Sequence, residues 1–287
     1  METAKPKISI IILDFLKSKR VVSSVEAIQK QQTDFALEII VADNSCNPEN
    51  AAKLGELTKY ENVKLIFNEK NLGYTRGCNA GAHAATGEYL LILNPDIIIR
   101  EPDSLQKMVD FMECNSTVGI LGPRQIDEPT GETAMTVRAF PKLILQIARR
   151  TFLRHMPIFK SAVAYDEMQH LNYAKIQPVD WLQSSCVLIR RDLWDAVGGF
   201  DERYFLFMSD PEICWQAWAR GFEVVYYPAV VVYADGLRAS AGGFVDFWSR
   251  WTMQQHLRDA ITYRLRHFGR HNPRKALMQM RKIGLYQ

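Results

Sequence analysis

The chain has 287 residues, 47% hydrophobic and 23% charged. At about 150 residues per domain this is one large domain or two small ones with a buried core, which excludes a disordered, collagenous or repeat-array protein. The formal net charge of +3 is a cancellation, because segment 246–287 carries nine Lys or Arg against two Asp, a balance of +7 that leaves −4 on residues 1–245.

In chain order, the first 120 residues alternate short apolar runs with segments of helical length. The runs are Ile8–Leu13, Glu38–Ala42, Val63–Phe67, Glu88–Leu93 and Val118–Leu121, and between them lie Arg20–Gln31, Pro48–Tyr60, Thr75–Thr86 and Asp103–Cys114. In the first run Ile8, Ile10 and Ile12 alternate with Ile11 and Leu13, so both faces are apolar, as in a central strand covered by helices on each side. The pattern predicts an α/β fold with an open, mostly parallel sheet. After Gly122 the alternation breaks, and prolines 123, 129, 141, 157 and 178 bound short irregular pieces. Within them Phe140–Lys160 mixes apolar residues with five cations and no acid, which fits an interfacial segment or a basic loop packed on the domain. Regular structure is expected again as a strand at Trp181–Ile189, a helix at Asp210–Arg220, strands within Glu223–Ala234 and a long amphipathic helix at Phe244–Phe268.

No run of eighteen apolar residues could build a bilayer-spanning helix, and Met1 to Lys7 lack the layout of a signal peptide. Five cysteines without CxxC spacing indicate neither a disulfide framework nor a zinc site, so a reducing, cytoplasmic setting is expected.

In an open α/β sheet, ligands sit beyond the carboxyl ends of the strands. Three carboxylates fall there: Asp14 after the first run, Asp43 in Ala-Asp-Asn-Ser, and Asp96 in Asn94-Pro95-Asp96. One such residue is ordinary turn or cap chemistry, but three at one rim repel each other unless something polar or cationic lies among them. The stretch Asn71 to Gly81 is neither a dinucleotide turn nor a phosphate loop. Its Gly77 and Gly81 share one helix face, suited to close helix–sheet contact, while Arg76 near the helix start suits a phosphate.

Ile8–Leu13, Ala42-Asp43-Asn44-Ser45, Asn71-x-Gly73-Tyr74 with Asn79-x-Gly81, Leu93-Asn94-Pro95-Asp96, and Gly198-Gly199-Phe200-Asp201-Glu202 followed by Ser209-Asp210-Pro211-Glu212 occur in that order. This series resembles family 2 nucleotide-sugar glycosyltransferases of the GT-A fold over roughly residues 7–240, and the Asn-Pro-Asp form resembles rhamnosyltransferase-like members. The resemblance implies a GT-A domain over 1–245, with a nucleotide-binding half (1–122) and an acceptor half (123–245), ahead of a basic helical tail at 246–287. It implies that Asp14, Asp43, Asn44, Asn71, Gly73, Arg76, Asn79 and Asn94 bind the nucleotide sugar, and that Asp96 holds Mg²⁺ or Mn²⁺ against its diphosphate. Asp210 stands at the catalytic base of an inverting transfer.

Departures accompany it. Tyr233 stands where many relatives carry a His, so either Asp235 substitutes as a second metal ligand or Asp96 and the donor phosphates hold the metal alone; Asn94, Ser209, Glu212 and Gln216 replace a usual Asp, Glu, Asp and Arg. No Gln-x-x-Arg-Trp motif is present, which favours addition of single sugars over processive synthesis. Trp181, Gln183 and Glu212 are candidate acceptor residues. Ser209-x-x-Glu212 also reads as a capping box, whose helix start would lower the Asp210 pKa. Trp215, Trp218, Trp248 and Trp251 suit helix packing or an interfacial belt, and His256 and His267 read as solvated.

The expected partners are a nucleoside diphosphate sugar, dTDP-rhamnose first or a UDP-sugar, and a glycan or polyprenyl-linked acceptor of surface polysaccharide synthesis. The basic tail is expected to meet an anionic membrane from its cytoplasmic side or a second copy of the chain, and no nucleic acid is expected. The alternative readings are a UDP-sugar-dependent enzyme of the same fold and a homologue that binds nucleotide or glycan without turnover.

Overall fold

The structure is a computed structural model that describes residues 5–142, 145, 148, 151–235 and 251–282. Its first half is built from four parallel strands, β1 (Ile8–Asp14), β2 (Leu37–Asp43), β3 (Val63–Phe67) and β4 (Tyr89–Leu93), in the order β3-β2-β1-β4. The connecting helices are α1 (Ser18–Ile28), α2 (Pro48–Gly55) and α3 (Gly73–His83). Alternation along β1 sorts the core: Ile8, Ile10 and Ile12 join Val21 and Val25 of α1 on one face, and Ile11 joins Cys78 and Ala82 of α3 on the other. Both faces of β1 are buried, so its run of isoleucines follows from a central position in the sheet.

Beyond β4 the sheet becomes mixed. A two-residue β5 (Ile97–Ile98) and helix α4 (Ser104–Cys114) lead into β6 (Val118–Asp127), the short β7 (Glu132–Thr133) and β8 (Val137–Arg138). Helix α5 (Pro157–Asp166), β9 (Gln177–Pro178), β10 (Trp181–Leu182), β11 (Cys186–Arg190), α6 (Arg191–Val197), α7 (Ser209–Ala219) and β12 (Glu223–Ala234) follow. Strand β11 inserts antiparallel between β4 and β6, and β12 runs parallel to β6. The four-strand parallel half accords with the expected sheet, while the second half adds the antiparallel strands that curl it.

Two local expectations change. Strand β6 runs through Pro123, which had seemed to end it: β11 pairs with β6 only at Ile120 and Leu121, so the proline's missing N–H costs no bond on that side. The expected strand Trp181–Ile189 is split by Gln183–Ser185, whose backbone turns to neighbouring loops: Gln183 N–H donates to Thr136 O (2.9 Å), and Ser185 O accepts from Asn94 N–H (2.8 Å).

The tail folds onto the body as helices α8 (Trp251–Arg266) and α9 (Pro273–Lys282); the first residues of the expected Phe244–Phe268 helix, 244–250, lie outside the described residues, as does Trp248. Arg266 pairs with Asp201 and Glu212, Arg274 with Asp180, and Arg281 with Glu223. Part of the tail's positive charge is thus met by the acidic body itself. His267 is buried, with Nε2 2.7 Å from Glu212 Oε2, so the reading of it as solvated is corrected; His256 packs its ring on Phe207. Trp215 and Trp218 are core residues, whereas Trp251 is 52% exposed. In Phe140–Lys160, Phe152 and Met156 are exposed, while Leu145 and Ala148 form a small cluster with Val163 of α5; Arg149 and Arg150 lie outside the described residues.

Candidate active site

The carboxyl ends of β1 and β2 are in register, with Asp14 opposite Asp43, so parallel pairing alone brings the two acids together. Both are buried. The polar group between them is Asn50 of α2, whose Nδ2 donates to Asp14 Oδ2 (2.5 Å), Asp43 Oδ1 (3.3 Å) and Ser45 Oγ (3.2 Å). Asn47 caps α2 by accepting from Asn50 N–H (2.9 Å), which sets that side chain over the rim. Asp14 also accepts from Lys17 N–H and Asp43 from Ser45 N–H. Burial raises the Asp14 pKa against these bonds, with the Asp43 charge adding to the rise.

Asn44 extends the network. Its Nδ2 donates to Gly73 O (2.8 Å), and its Oδ1 accepts from Asn68 Nδ2 (2.8 Å). Gly73 has φ +78°, and a Cβ there would lie 2.5 Å from Phe205 O, so only glycine fits this turn. Asn71 Oδ1 accepts from Gly73 N–H (2.9 Å), and Tyr74 N–H donates to Phe205 O (2.8 Å). Gly77 lets α3 lie against β1, since a Cβ there would come within 2.5 Å of Leu13 and 2.8 Å of Asn44.

The remaining expected donor residues divide. Asn94 and Asp96 follow β4, and the side chains of both have no protein hydrogen-bond partner among the described residues. Arg76 is exposed and pairs with Glu202 at 3.2 Å. Asn79 turns away from the rim: its Nδ2 donates to Phe200 O (2.8 Å) and its Oδ1 accepts from Phe200 N–H (2.9 Å), tying α3 to the Gly-Gly-Phe-Asp-Glu segment.

Asp210 lies in the first turn of α7, behind Met208 in a left-handed conformation (φ 69°). The backbone N–H groups of Ser184 and of Asp210 itself favour its ionised form, yet burial outweighs both and pushes its pKa up to about 6. The expected lowering by the helix start is therefore corrected, because the desolvation of the side chain is the larger effect. Tyr74 lies beside it, with its hydroxyl 2.9 Å from Ser184 Oγ and its own pKa held well above ordinary by burial, with a smaller upward push from the Asp210 charge. Cys214, one turn along α7, also feels the Asp210 charge.

The capping box does not form. Met208 occupies the cap position without a side-chain bond, Ser209 Oγ is buried with no hydrogen-bond partner among the described residues, and Glu212 points inward. Glu212 is 2% exposed and accepts from Tyr204 Oη (3.0 Å), Gln216 Nε2 (2.7 Å) and Arg266 Nε (3.1 Å) besides its contact with His267, so the acceptor role expected for it is corrected: it is an interior hub that binds the tail to α7. Trp181 Nε1–H donates to Ala139 O (2.7 Å), which commits its polar edge to packing. Gln183 lines a recess with Gln125, Thr136 and Ser185, next to the Ser184 that meets Asp210.

For a metal, the donor set is sparse. Among the described residues no group of three or more His, Cys, Asp and Glu is placed to hold one. Ala234 pairs with Ile97 in the antiparallel β12–β5 ladder, so the next residue on each strand brings Asp235 and Asp96 to one end of it. Asp235, however, forms an ion pair with Arg20 of α1, which corrects its assignment as a ready ligand. Tyr233 donates to Glu101 Oε1 (3.2 Å), and the Arg100 guanidinium stacks 4.2 Å over its ring. Among the described residues at this end of the ladder, Asp96 offers an uncommitted carboxylate with Asn94 beside it, which fits a cation held mainly by a substrate's phosphates.

Asn50, Ser184 and Tyr74 were not among the residues expected to form the site. Asn50 gives no signal beyond the Asn47-Pro48 helix start, and Ser184 joins Asp210 only through the tertiary fold.

Residues 9–169 match the family model described as Glycosyl transferase family 2. The chain belongs to that family and is a glycosyltransferase. It is 29% identical over 212 residues to the N-acetylglucosaminyl-diphospho-decaprenol L-rhamnosyltransferase of Mycobacterium tuberculosis, covering 70% of this chain and 67% of that protein. In structure it is similar to GalNAc-T7 with UDP, GalNAc and Mn²⁺ (TM-score 0.60, 15% identity, 83% of this chain and 45% of the other). It is similar too to the mannosyltransferase PcManGT from Pyrobaculum calidifontis in complex with GDP-Man and Mn²⁺ (TM-score 0.56, 14% identity, 99% and 82%). These neighbours carry the expected GT-A fold.

Proposed function

We propose that the enzyme transfers one sugar from a nucleoside diphosphate donor to a glycan acceptor with inversion, with rhamnose the first donor sugar to try. The observation that carries this reading is Asp210: a partly buried carboxyl with its pKa pushed up to about 6 by desolvation, beside Tyr74 and Ser184 and linked through Phe205 to the Asn44–Gly73 turn. A base of that pKa is ionised at neutral pH yet basic enough to take a hydroxyl proton as the bond forms. The acceptor oxygen attacks the anomeric carbon, its proton passes to Asp210, and the bond from that carbon to the diphosphate oxygen breaks with its electron pair leaving on the nucleotide.

Asp14, Asp43 and Asn44 form the donor side, where Asn50 keeps two adjacent carboxylates in place for the nucleoside. Arg76, exposed in the first turn of α3, offers a cation to the diphosphate. A divalent cation, held by Asp96 and the donor's phosphates, would supply positive charge to the leaving group. Gln183, exposed beside Ser184, is the acceptor-side candidate.

The rhamnosyltransferase relative, by its name, acts on a lipid-diphosphate acceptor, and helix α8 offers a matching surface. Leu257, Ile261, Leu265 and Phe268 are 41%, 46%, 73% and 75% exposed, and the exposed Arg258, Arg264 and Arg270 flank them. An apolar stripe edged by cations suits an anionic bilayer. No helix among the described residues is long and apolar enough to cross one.

A panel of dTDP-, UDP- and GDP-sugars, screened by thermal shift with Mn²⁺ and then for turnover, tests the donor. The reading fails if no member stabilises the protein or if Asp210→Asn keeps full turnover. Leu265→Glu should abolish sedimentation with phosphatidylglycerol vesicles, and retained binding would remove α8 from the membrane contact.

A further inference from the structure

We propose that Asp259 of the C-terminal helix α8 is a positioning residue that fixes the loop joining the base-bearing helix α7 to the donor-side turn at Gly73. The inference rests on the reading of Asp210 as the base. Asp259 is 1% exposed, and its carboxylate accepts from three successive backbone N–H groups: Phe205 (3.4 Å), Leu206 (3.1 Å) and Phe207 (2.9 Å). A buried carboxylate is costly unless its oxygens are filled, and here the donors that fill them belong to one loop.

That loop has work at both ends. On one side, Phe205 O accepts the Tyr74 N–H bond and presses on Gly73, whose own carbonyl accepts from Asn44. On the other, Phe207 precedes Met208, whose left-handed turn starts α7 and whose carbonyl accepts from Glu212 N–H (3.1 Å). Phe205–Met208 lie in no helix or strand. A carboxylate from the tail is therefore the side chain whose hydrogen bonds hold this connection from below, while Tyr204, Met208, Ala260 and Tyr263 pack around it. Through the loop, Asp259 sets how far Asp210 stands from the donor, although it touches neither.

The test uses the full chain with Asp259→Asn, which keeps the shape but replaces one accepting oxygen by a donor, and with Asp259→Glu as a second variant that keeps the charge one methylene further out. Hydrogen exchange should quicken about tenfold or more at 205–207 and also at Gly73 and Tyr74. With the donor that turns over in the panel, kcat should fall about tenfold or more while the dissociation constant for UDP or dTDP changes less than twofold. The acid limb of the rate profile should move below pH 6, because a loosened loop admits water to Asp210. A folded variant with unchanged exchange at Gly73 and Tyr74, or with wild-type kcat and pH profile, would overturn the proposal. If Asp210→Asn is inactive and Asp259→Asn fully active, this inference alone fails; if Asp210→Asn is itself active, the assignment of the base fails first.

Discussion

The proposed donor rim and the proposed base are two acidic sites of one domain, yet they are assembled by different means. At the rim, parallel register puts Asp14 beside Asp43, and an amide from the next helix, Asn50, spans them. The Asp14–Asp43–Asn50 cluster comes from the first 50 residues, through short βα connections. Asp210 instead depends on Ser184, on Tyr74 more than a hundred residues earlier, and on a loop held by Asp259 of the tail. A rim made of strand ends tolerates change elsewhere in the chain, whereas a base suspended among remote elements is exposed to any of them.

The largest effect expected from breaking the base side is that Asp210→Asn lowers kcat by about 10²–10⁴-fold, the usual worth of a positioned base, in a donor-turnover assay. The same variant sharpens the contrast in stability. Because the folded-state pKa of Asp210 is raised to about 6, the folded protein binds more protons than the unfolded chain between pH 4 and 6, and stability is lost as pH rises through that window. At pH 7.5 Asp210→Asn should therefore be more stable in urea than the parent by about 1–3 kcal/mol. The parent's kcat should fall below about pH 6 as Asp210 takes up its proton.

On the donor side, Asn50→Ala leaves Asp14 and Asp43 adjacent without their shared amide and should cost about 2–3 kcal/mol by urea titration. The loss should shrink at acid pH, where one carboxyl protonates, and a pH-independent loss would argue for packing instead. Gly73→Ala is a cross-check on the link between the sites: the left-handed backbone and the contact with Phe205 O should cost about 2 kcal/mol and lower kcat together with stability. The smallest stability effect is at Arg76, whose pairing with Glu202 is exposed; Arg76→Ala should change stability by less than about 0.5 kcal/mol while weakening UDP or dTDP binding about tenfold by calorimetry.

Much of this was legible beforehand. The isoleucines of β1 announced a strand buried on both faces, and Asp14, Asp43 and Asp96 announced a rim, because strand period and βα order place residues at the carboxyl edge without further information. Less legible was the second half. Pro123 looked like a boundary and lies inside a strand, since its pairing partner on one side had already ended. Glu212 and His267 looked like an acceptor residue and a solvated tail residue, and they meet each other in the interior.

The sequence by itself determined the parallel half, the family and the residue types at the rim, because those are written in local periodicity and ordered motifs. Only the tertiary structure decided how the charge was spent. The net +3 concealed an acidic body and a basic tail, and the fold brings them together: Arg266, Arg274 and Arg281 meet carboxylates of the body, while Asp259 returns a negative charge to the loop that precedes α7. Pairing across such distances along the chain has no period or motif, since it is set by which surfaces remain uncovered once the sheet has formed.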